Sequence, residues 1–300
     1  MVQFIDDHRG RYGIEQICRV LPIAPSTYYR EKYLANNLGK RSLRQQNDDF
    51  YISEIKRIWQ DSKSRYGVRK VWQQMKTDGI RVARCTVERL MTQYELQGVW
   101  RGKGKITTNS RDDQKRANDL VNRNFTAHGP NQLWVADFNY IKTMSGWVYT
   151  AFIIDVFARA IVGWKVSNRM NTDMVMAALN QAIVDRNKPK DVIHHSDRGV
   201  QYLSIRYTDR MAEAGVIASV GTTGDSYDNA LAETVNGLYK SEVIHYLKKI
   251  WNGVNDVELA TLEWVDWFNK TRLHSTIGYM SPFEFEKRYY NNFNLLGEAA

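Results

Sequence analysis

Two periodicities divide this chain. Up to about residue 100 the apolar positions recur three and four apart, whereas from about residue 132 they alternate or run together in short blocks. In the first region Ile14, Ile17 and Leu21 share one helical face. A break from Pro22 to Pro25 follows, and Ser26 is placed to cap a helix beginning Thr27-Tyr28-Tyr29-Arg30. Val68, Val71, Trp72 and Met75 form a second apolar face, which Asp78-Gly79 ends. Val87, Leu90 and Met91 form a third, on a helix from about Ala83. Arg11-Tyr12-Gly13-Ile14 recurs as Arg65-Tyr66-Gly67-Val68, a weak internal echo at the head of each helical stretch. Two short helices around a tight turn describe a helix-turn-helix, although such hairpins also occur in all-α domains that never meet nucleic acid. The stretch from Asn36 to Asn47 reads as a joining segment.

The second region reads as strands first. Leu133–Ile141 is rich in β-branched and aromatic residues; a turn at Ser145-Gly146 leads to Trp147–Val156, and Arg159–Val166 follows, which predicts an antiparallel meander. A helix over Thr172–Asn187, a buried-type strand Asp191–His195, a loop Ser196–Gly199, a helix Ser204–Ala214, a strand Val216–Val220 and a longer helix from about Tyr227 to Leu247 complete the series. The order βββαβαβα is that of the α/β ribonuclease H-like fold, a mixed sheet with helices on its faces.

Charge sharpens this division. Residues 1–120 hold 24 Lys/Arg against 14 Asp/Glu, or +10, and residues 121–300 hold 18 against 19, or −1. A basic segment joined to a near-neutral body is the footprint of a polyanion binder, though a solubilising surface would give the same composition. Arg69, Lys70 and Lys76 lie on the first helix of the second helical pair and Arg81, Arg84 and Arg89 on or before its second, where they could reach phosphates or guanine edges. Residues 101–118, which include Lys103 and Lys105, lack apolar periodicity and read as a basic linker.

Three acids occupy telling places. Asp137 sits within the first strand among Trp134, Val135 and Phe138; Asp197 lies just past the strand ending at His195; Glu233 lies in the apolar helical run Ala230-Leu231-Ala232-Glu233. Neighbouring strand ends and a helix packed across them can bring the three to one point. Clustered carboxylates repel unless cations sit between them, and all-oxygen ligation favours Mg²⁺ or Mn²⁺ over zinc. Two such ions, about 3.5–4 Å apart, can serve an in-line displacement at phosphorus. Lys240, nearly two helical turns beyond Glu233, shares its face and could bind a DNA phosphate.

Trp134 through Ile141, His194 through Tyr202 and Gly224 through Glu233 resemble, in order, the three acidic motifs of the insertion-sequence-3 transposase family, with Lys240 at the family's basic position. Thirty-five residues separate Asp197 from Glu233, the family's DD(35)E spacing, and Asn269–Tyr279 with Ser281–Phe285 match its C-terminal tract. The resemblance implies a second-reading-frame transposase with a retroviral-integrase-like core. Asp137, Asp197 and Glu233 would hold two Mg²⁺ or Mn²⁺ ions and Lys240 would touch the terminal DNA. It further implies cleavage at the element's terminal inverted repeats and attack of the freed 3′-hydroxyl on DNA, by a homo-oligomer of at least two chains. Asn139 stands where the family often has Thr, a departure expected not to affect the metals. No leucine heptad precedes the helical region, so the upstream reading-frame product is an expected partner. A nuclease of the same fold and a silent DNA-binding regulator are the alternatives; the basic helices and the 35-residue spacing weigh against the first, and the intact acids with Lys240 against the second.

The remaining features mostly read as structural. Cys18 and Cys85, 67 positions apart without a CxxC, read as buried helix residues in a reducing cytoplasm. The N-terminus carries acids and no apolar signal region, and the longest apolar stretch, about Val148–Phe157, is too short for a membrane helix. His194 and His195 read as positioning groups, Trp264, Trp267 and Phe268 as core, and Arg198, Gln201, Arg272 and His274 as open between DNA contact and packing. The domains expected are 1–47, an N-terminal helical segment and candidate first helix-turn-helix; 48–104, the main helix-turn-helix; 105–130, the linker; 131–250, the catalytic core; and 251–300, a helical extension.

Overall fold

The computed structural model describes residues 1–100, 121, 125–196, 201–202, 204–220, 230–246 and 249–297, the side chains of 293–297 excepted. They fall into two compact units, 1–98 and 99–300. The first is all helical. Helices α1 (Val2–Tyr12), α2 (Ile14–Val20) and α3 (Pro25–Asn36) enclose a small core of Ile5, Ile17, Cys18 and Tyr28. Helices α4 (Leu43–Asp61), α5 (Val68–Thr77) and α6 (Arg84–Gln93) bury Ile52, Ile55, Ile58, Val71, Met75, Val87, Leu90 and Met91. Gly79, at φ +80°, takes the left-handed conformation that ends α5, as Asp78-Gly79 suggests.

The joining segment expected over Asn36–Asn47 is shorter than that: residues 37–42, with a 3-10 turn at Leu38–Lys40, join α3 to α4, which already begins at Leu43. At its N-cap Ser42 Oγ accepts from the Gln45 N–H at 3.3 Å and Gln45 Oε1 accepts from the Ser42 N–H at 3.0 Å. Such a capping box satisfies two helix-end donors and stabilises the helix by about 1 kcal/mol.

The second unit is built on a five-stranded sheet of order β3-β2-β1-β4-β5, with β1 Leu133–Thr143, β2 Gly146–Asp155, β3 Ile161–Ser167, β4 Val192–Ser196 and β5 Val216–Val220. The first three strands form the expected antiparallel meander, and β4 and β5 add in parallel on the other side of β1. Helices α7 (Thr172–Asp185) and α8 (Ile205–Ala214) cover one face, burying Trp134, Ala136, Ala151, Ile153, Met174, Ala178, Leu179, Tyr207 and Met211. Gly163 on β3 permits this, because a Cβ there would strike the Ala178 carbonyl of α7.

The opposite face packs on α9 (Ala230–Tyr239) and α10 (Val254–Lys270) through Phe152, Tyr239, Trp264 and Phe268, whose ring centroids lie 4.8–5.9 Å apart. The core reading of Trp264, Trp267 and Phe268 therefore holds. Instead of one helix to Leu247, α9 gives way at Lys240–His245 to a π-helix. No described helix is long and apolar enough to cross a membrane.

The C-terminal helix α11 (Pro282–Gly297) is tied to the sheet by a buried charge cluster. The Arg186 guanidinium donates to both Glu286 oxygens at 2.6 and 2.8 Å and lies 3.4 Å from Asp155, whose carboxylate also accepts the Asn131 and Phe157 N–H groups. Burial raises the Asp155 pKa to about 6 despite these partners. Arg186→Met would leave two buried acids facing each other, so urea unfolding should show a loss of about 3–5 kcal/mol.

Candidate active site

Strand alternation places Asp137 and Asn139 on the α9 face of β1, two residues apart. A carboxylate in a strand this apolar needs donors, and two are present. The Phe138 N–H donates to Asp137 Oδ1 at 2.8 Å, and Asn236 Nδ2 on α9 donates to Oδ2 at 2.6 Å. Asn139 Nδ2 in turn donates to Asn236 Oδ1 at 2.6 Å. Asn236 lies one helical turn past Glu233, so the helix that carries Glu233 is pinned to the strand that carries Asp137. Asp137 is half-buried, Glu233 exposed and Lys240, at the head of the π-helix, half-buried. π-Helical turns inside α-helices are frequent at functional sites.

The parallel β1–β4 register ends with Ala136 opposite Ser196. Asp197 follows Ser196 in the chain but lies outside the described residues, as do Arg198, Lys103 and Lys105. Among the described residues no three His, Cys, Asp or Glu side chains gather closely enough to hold a metal ion. The donor chemistry nevertheless fits a hard cation, because Asp137 and Glu233 offer carboxylate oxygens while each neighbouring imidazole has one ring nitrogen engaged elsewhere. His194 Nε2 pairs with the Tyr207 hydroxyl at 3.1 Å, and His195 Nδ1 with Ser219 Oγ at 3.0 Å. Carboxylate oxygens remain, which suit Mg²⁺ or Mn²⁺ rather than zinc.

Arg272 and His274, open between DNA contact and packing in the sequence, are packing residues. Arg272 is buried and donates three bonds of 2.6–3.1 Å to buried Glu242 on the π-helix, which also accepts Trp264 Nε1 at 3.0 Å. His274 stacks edge-on against Phe268 with ring centroids 4.5 Å apart. The π-helix bearing Lys240 is thus anchored from beneath by a bidentate ion pair.

The basic side chains of the first unit divide. Arg69, Arg81 and Arg84 are exposed, on the first turn of α5, in the turn before α6 and at its start. Arg89 is held by Asp48 at 2.7 Å, while the Lys70 and Lys76 ammonium groups each lie 5.0 Å from the ring centroid of Tyr66 and Trp72. Cys85 is exposed rather than buried, because Val87, Leu90 and Met91 set the inner face of α6 and Cys85 falls opposite. The sequence reading missed Asn236 and Glu242. Asn236's only signal was its three-residue offset from Glu233; Glu242 had none, since its partner is 30 residues away.

Two integrase core domain models match residues 127–226 and 214–282, and an HTH-like domain model matches residues 45–104. Fold and matches define a protein with an integrase core behind a helix-turn-helix-like domain. Three relatives narrow the class. The transposase for insertion sequence IS629 of Shigella sonnei is 53% identical over 97% of both chains. The transposase for IS3411 of Escherichia coli is 50% identical over 63% of this chain and 78% of its own. Transposase InsF for IS3A of Escherichia coli is 30% identical over 95% and 98%. The chain belongs to the insertion-sequence-3 family of transposases, enzymes of the integrase-core polynucleotidyl transferase superfamily.

Burial lowers the His194 pKa to about 4 from an ordinary 6.5. The unfolded chain therefore takes up a proton near pH 6.5 that the folded chain refuses until about pH 4. Stability falls as the pH drops across that window, by up to about 3 kcal/mol. His194→Gln, which can still meet the Tyr207 hydroxyl, should flatten this dependence relative to wild type in urea unfolding at pH 4–7.

Proposed function

We propose that this transposase cuts one DNA strand at the ends of its own insertion sequence and joins the freed 3′-hydroxyl to DNA, with Asp137, Asp197 and Glu233 as the catalytic carboxylates. The observation that carries the reading is the 2.6 Å bond from Asn236 to Asp137, which fastens the Glu233 helix to the Asp137 strand. Two Mg²⁺ or Mn²⁺ ions held by the three carboxylates would activate the attacking oxygen and stabilise the leaving oxygen of an in-line displacement. The protein's own contribution is positional. Asn236 orients Asp137, the buried Arg272–Glu242 pair fixes the π-helix, and Lys240 on that helix contacts a phosphate of the terminal DNA.

Binding falls to the helical unit. Helix α6 acts as the recognition helix, its exposed N-terminal Arg84 together with Arg81 reaching the duplex and Arg69 adding a phosphate contact. Arg198, Lys103 and Lys105 add further contacts to DNA. The α2–turn–α3 pair, with its own core and with Tyr29, Arg30 and Tyr33 exposed on α3, serves as a second and smaller reader. The partners are double-stranded element ends, target DNA, a second copy of this chain and the upstream reading-frame product. The enzyme works in the cytoplasm, on the nucleoid.

The test is strand cleavage and joining on a labelled duplex bearing the element's ends, with Mg²⁺ or Mn²⁺. Wild type should yield joined product, and Asp137→Asn and Glu233→Gln should yield neither cut nor joined DNA while still binding it. Cutting without joining would point to a nuclease instead. In binding titrations across salt, Arg81→Ala and Arg84→Ala should each reduce the salt slope by about 1 if they neutralise a phosphate, or cost about 1–3 kcal/mol if they read a base. Arg89→Ala should do less, since Asp48 already holds that guanidinium.

A further inference from the structure

We infer that Asn139 and Asn236 form a directed hydrogen-bond relay whose task is to set the orientation of the Asp137 carboxylate toward a divalent cation, an inference that rests on the metal-carboxylate reading above. The three side chains are in line. Asn139 Nδ2 lies 2.6 Å from Asn236 Oδ1, and Asn236 Nδ2 lies 2.6 Å from Asp137 Oδ2. The polarity of the line follows from chemistry. An ionised carboxylate only accepts, so Asn236 must turn its NH₂ toward Asp137; its carbonyl is left facing Asn139, which must then donate. Neither amide can flip without setting like against like, so the carboxylate plane is locked from one side by two residues, neither of which is itself an acid.

The relay is costly unless it has such a task. Asn139 is 1% exposed and Asn236 6%, on elements whose nearby apolar side chains Val135, Ile141, Leu231 and Val235 are also buried. A pair of leucines would fill that space without burying two amides. The amides also sit at the right places. Asn139 is on the face of β1 that presents Asp137, and Asn236 is one turn from Glu233, so the line couples the two carboxylate-bearing elements. Asn139, which the sequence marks as a harmless departure, is the far end of this line. Both are positioning residues; they act on the cation through Asp137. Outer partners of this kind typically change metal affinity 10–100-fold when removed.

The experiment titrates the full chain with Mn²⁺, following free ion by electron paramagnetic resonance and folding by circular dichroism, for wild type, Asp137→Asn, Asn236→Leu and Asn139→Leu. The expected result is wild-type binding that Asp137→Asn abolishes, a 10–100-fold weaker affinity in Asn236→Leu and a smaller loss in Asn139→Leu. Each single leucine leaves a buried polar group unpaired and should melt somewhat below wild type, so the double variant Asn139→Leu/Asn236→Leu is the control: it should melt above Asn236→Leu and still bind Mn²⁺ as weakly. Recovery of stability without recovery of metal affinity is what a merely structural pair would not produce. If Asn236→Leu does not fold, the Asn139→Leu affinity decides. Wild-type affinity in the folded leucine variants would overturn the relay and leave the metal reading standing. A wild-type chain with no Asp137-dependent Mn²⁺ binding would overturn the metal reading, and the relay with it.

Discussion

Everything in the core depends on one constraint, that β1, buried on both faces over residues 133–136, must still present a carboxylate at its next position. The strand is hydrogen-bonded along both edges, antiparallel to β2 and parallel to β4. Its even-numbered side chains Trp134 and Ala136 are sealed under α7 and α8. The odd-numbered face meets α9, and Asp137 lies there, where desolvation opposes its charge. The protein meets the cost locally, with a backbone N–H on one oxygen and an amide from α9 on the other. Because that second donor belongs to the helix that bears Glu233, the solution to a folding problem also sets the geometry of the site.

The same economy recurs around the rim. Glu242 and Arg272 are buried together, and such a pair adds little net stability over an apolar contact. What it does supply is direction, since a bidentate pair has one good geometry and holds the π-helix under Lys240 to it. The cluster of Asp155, Arg186 and Glu286 does the same for α11 at the other end of the sheet. The helical unit is built differently, from two small apolar cores with most of its arginines, Arg65 apart, left outward, as the proposed attraction to phosphate would require.

The strands and their order were legible in the sequence because period-two alternation and tight turns are local signals. Each strand of the core lies within two residues of its expected bounds. Helix α4 was not legible, since its first half, Leu43–Tyr51, is polar and exposed apart from scattered positions; only the Ser42–Gln45 cap announced it. The fate of Lys240's helix escaped as well, because a π-turn has no residue-type signature of its own in six residues. The acids Asp137 and Glu233 stood out as charges in apolar runs. Asn236 did not, because an amide carries no sign of its partner, and the role of Arg272 depended on a residue 30 positions upstream.

The most direct measurement of the central claim, that Asp137, Asp197 and Glu233 surround one cation site, is backbone scission by bound Fe²⁺. Iron placed where Mg²⁺ would sit generates short-lived oxidants that cut only the nearest peptide bonds. The expected result is a set of fragments ending near residues 137, 197 and 233, suppressed by excess Mg²⁺ and absent from Asp137→Asn. Cuts confined to other parts of the chain, or unchanged by that substitution, would contradict it.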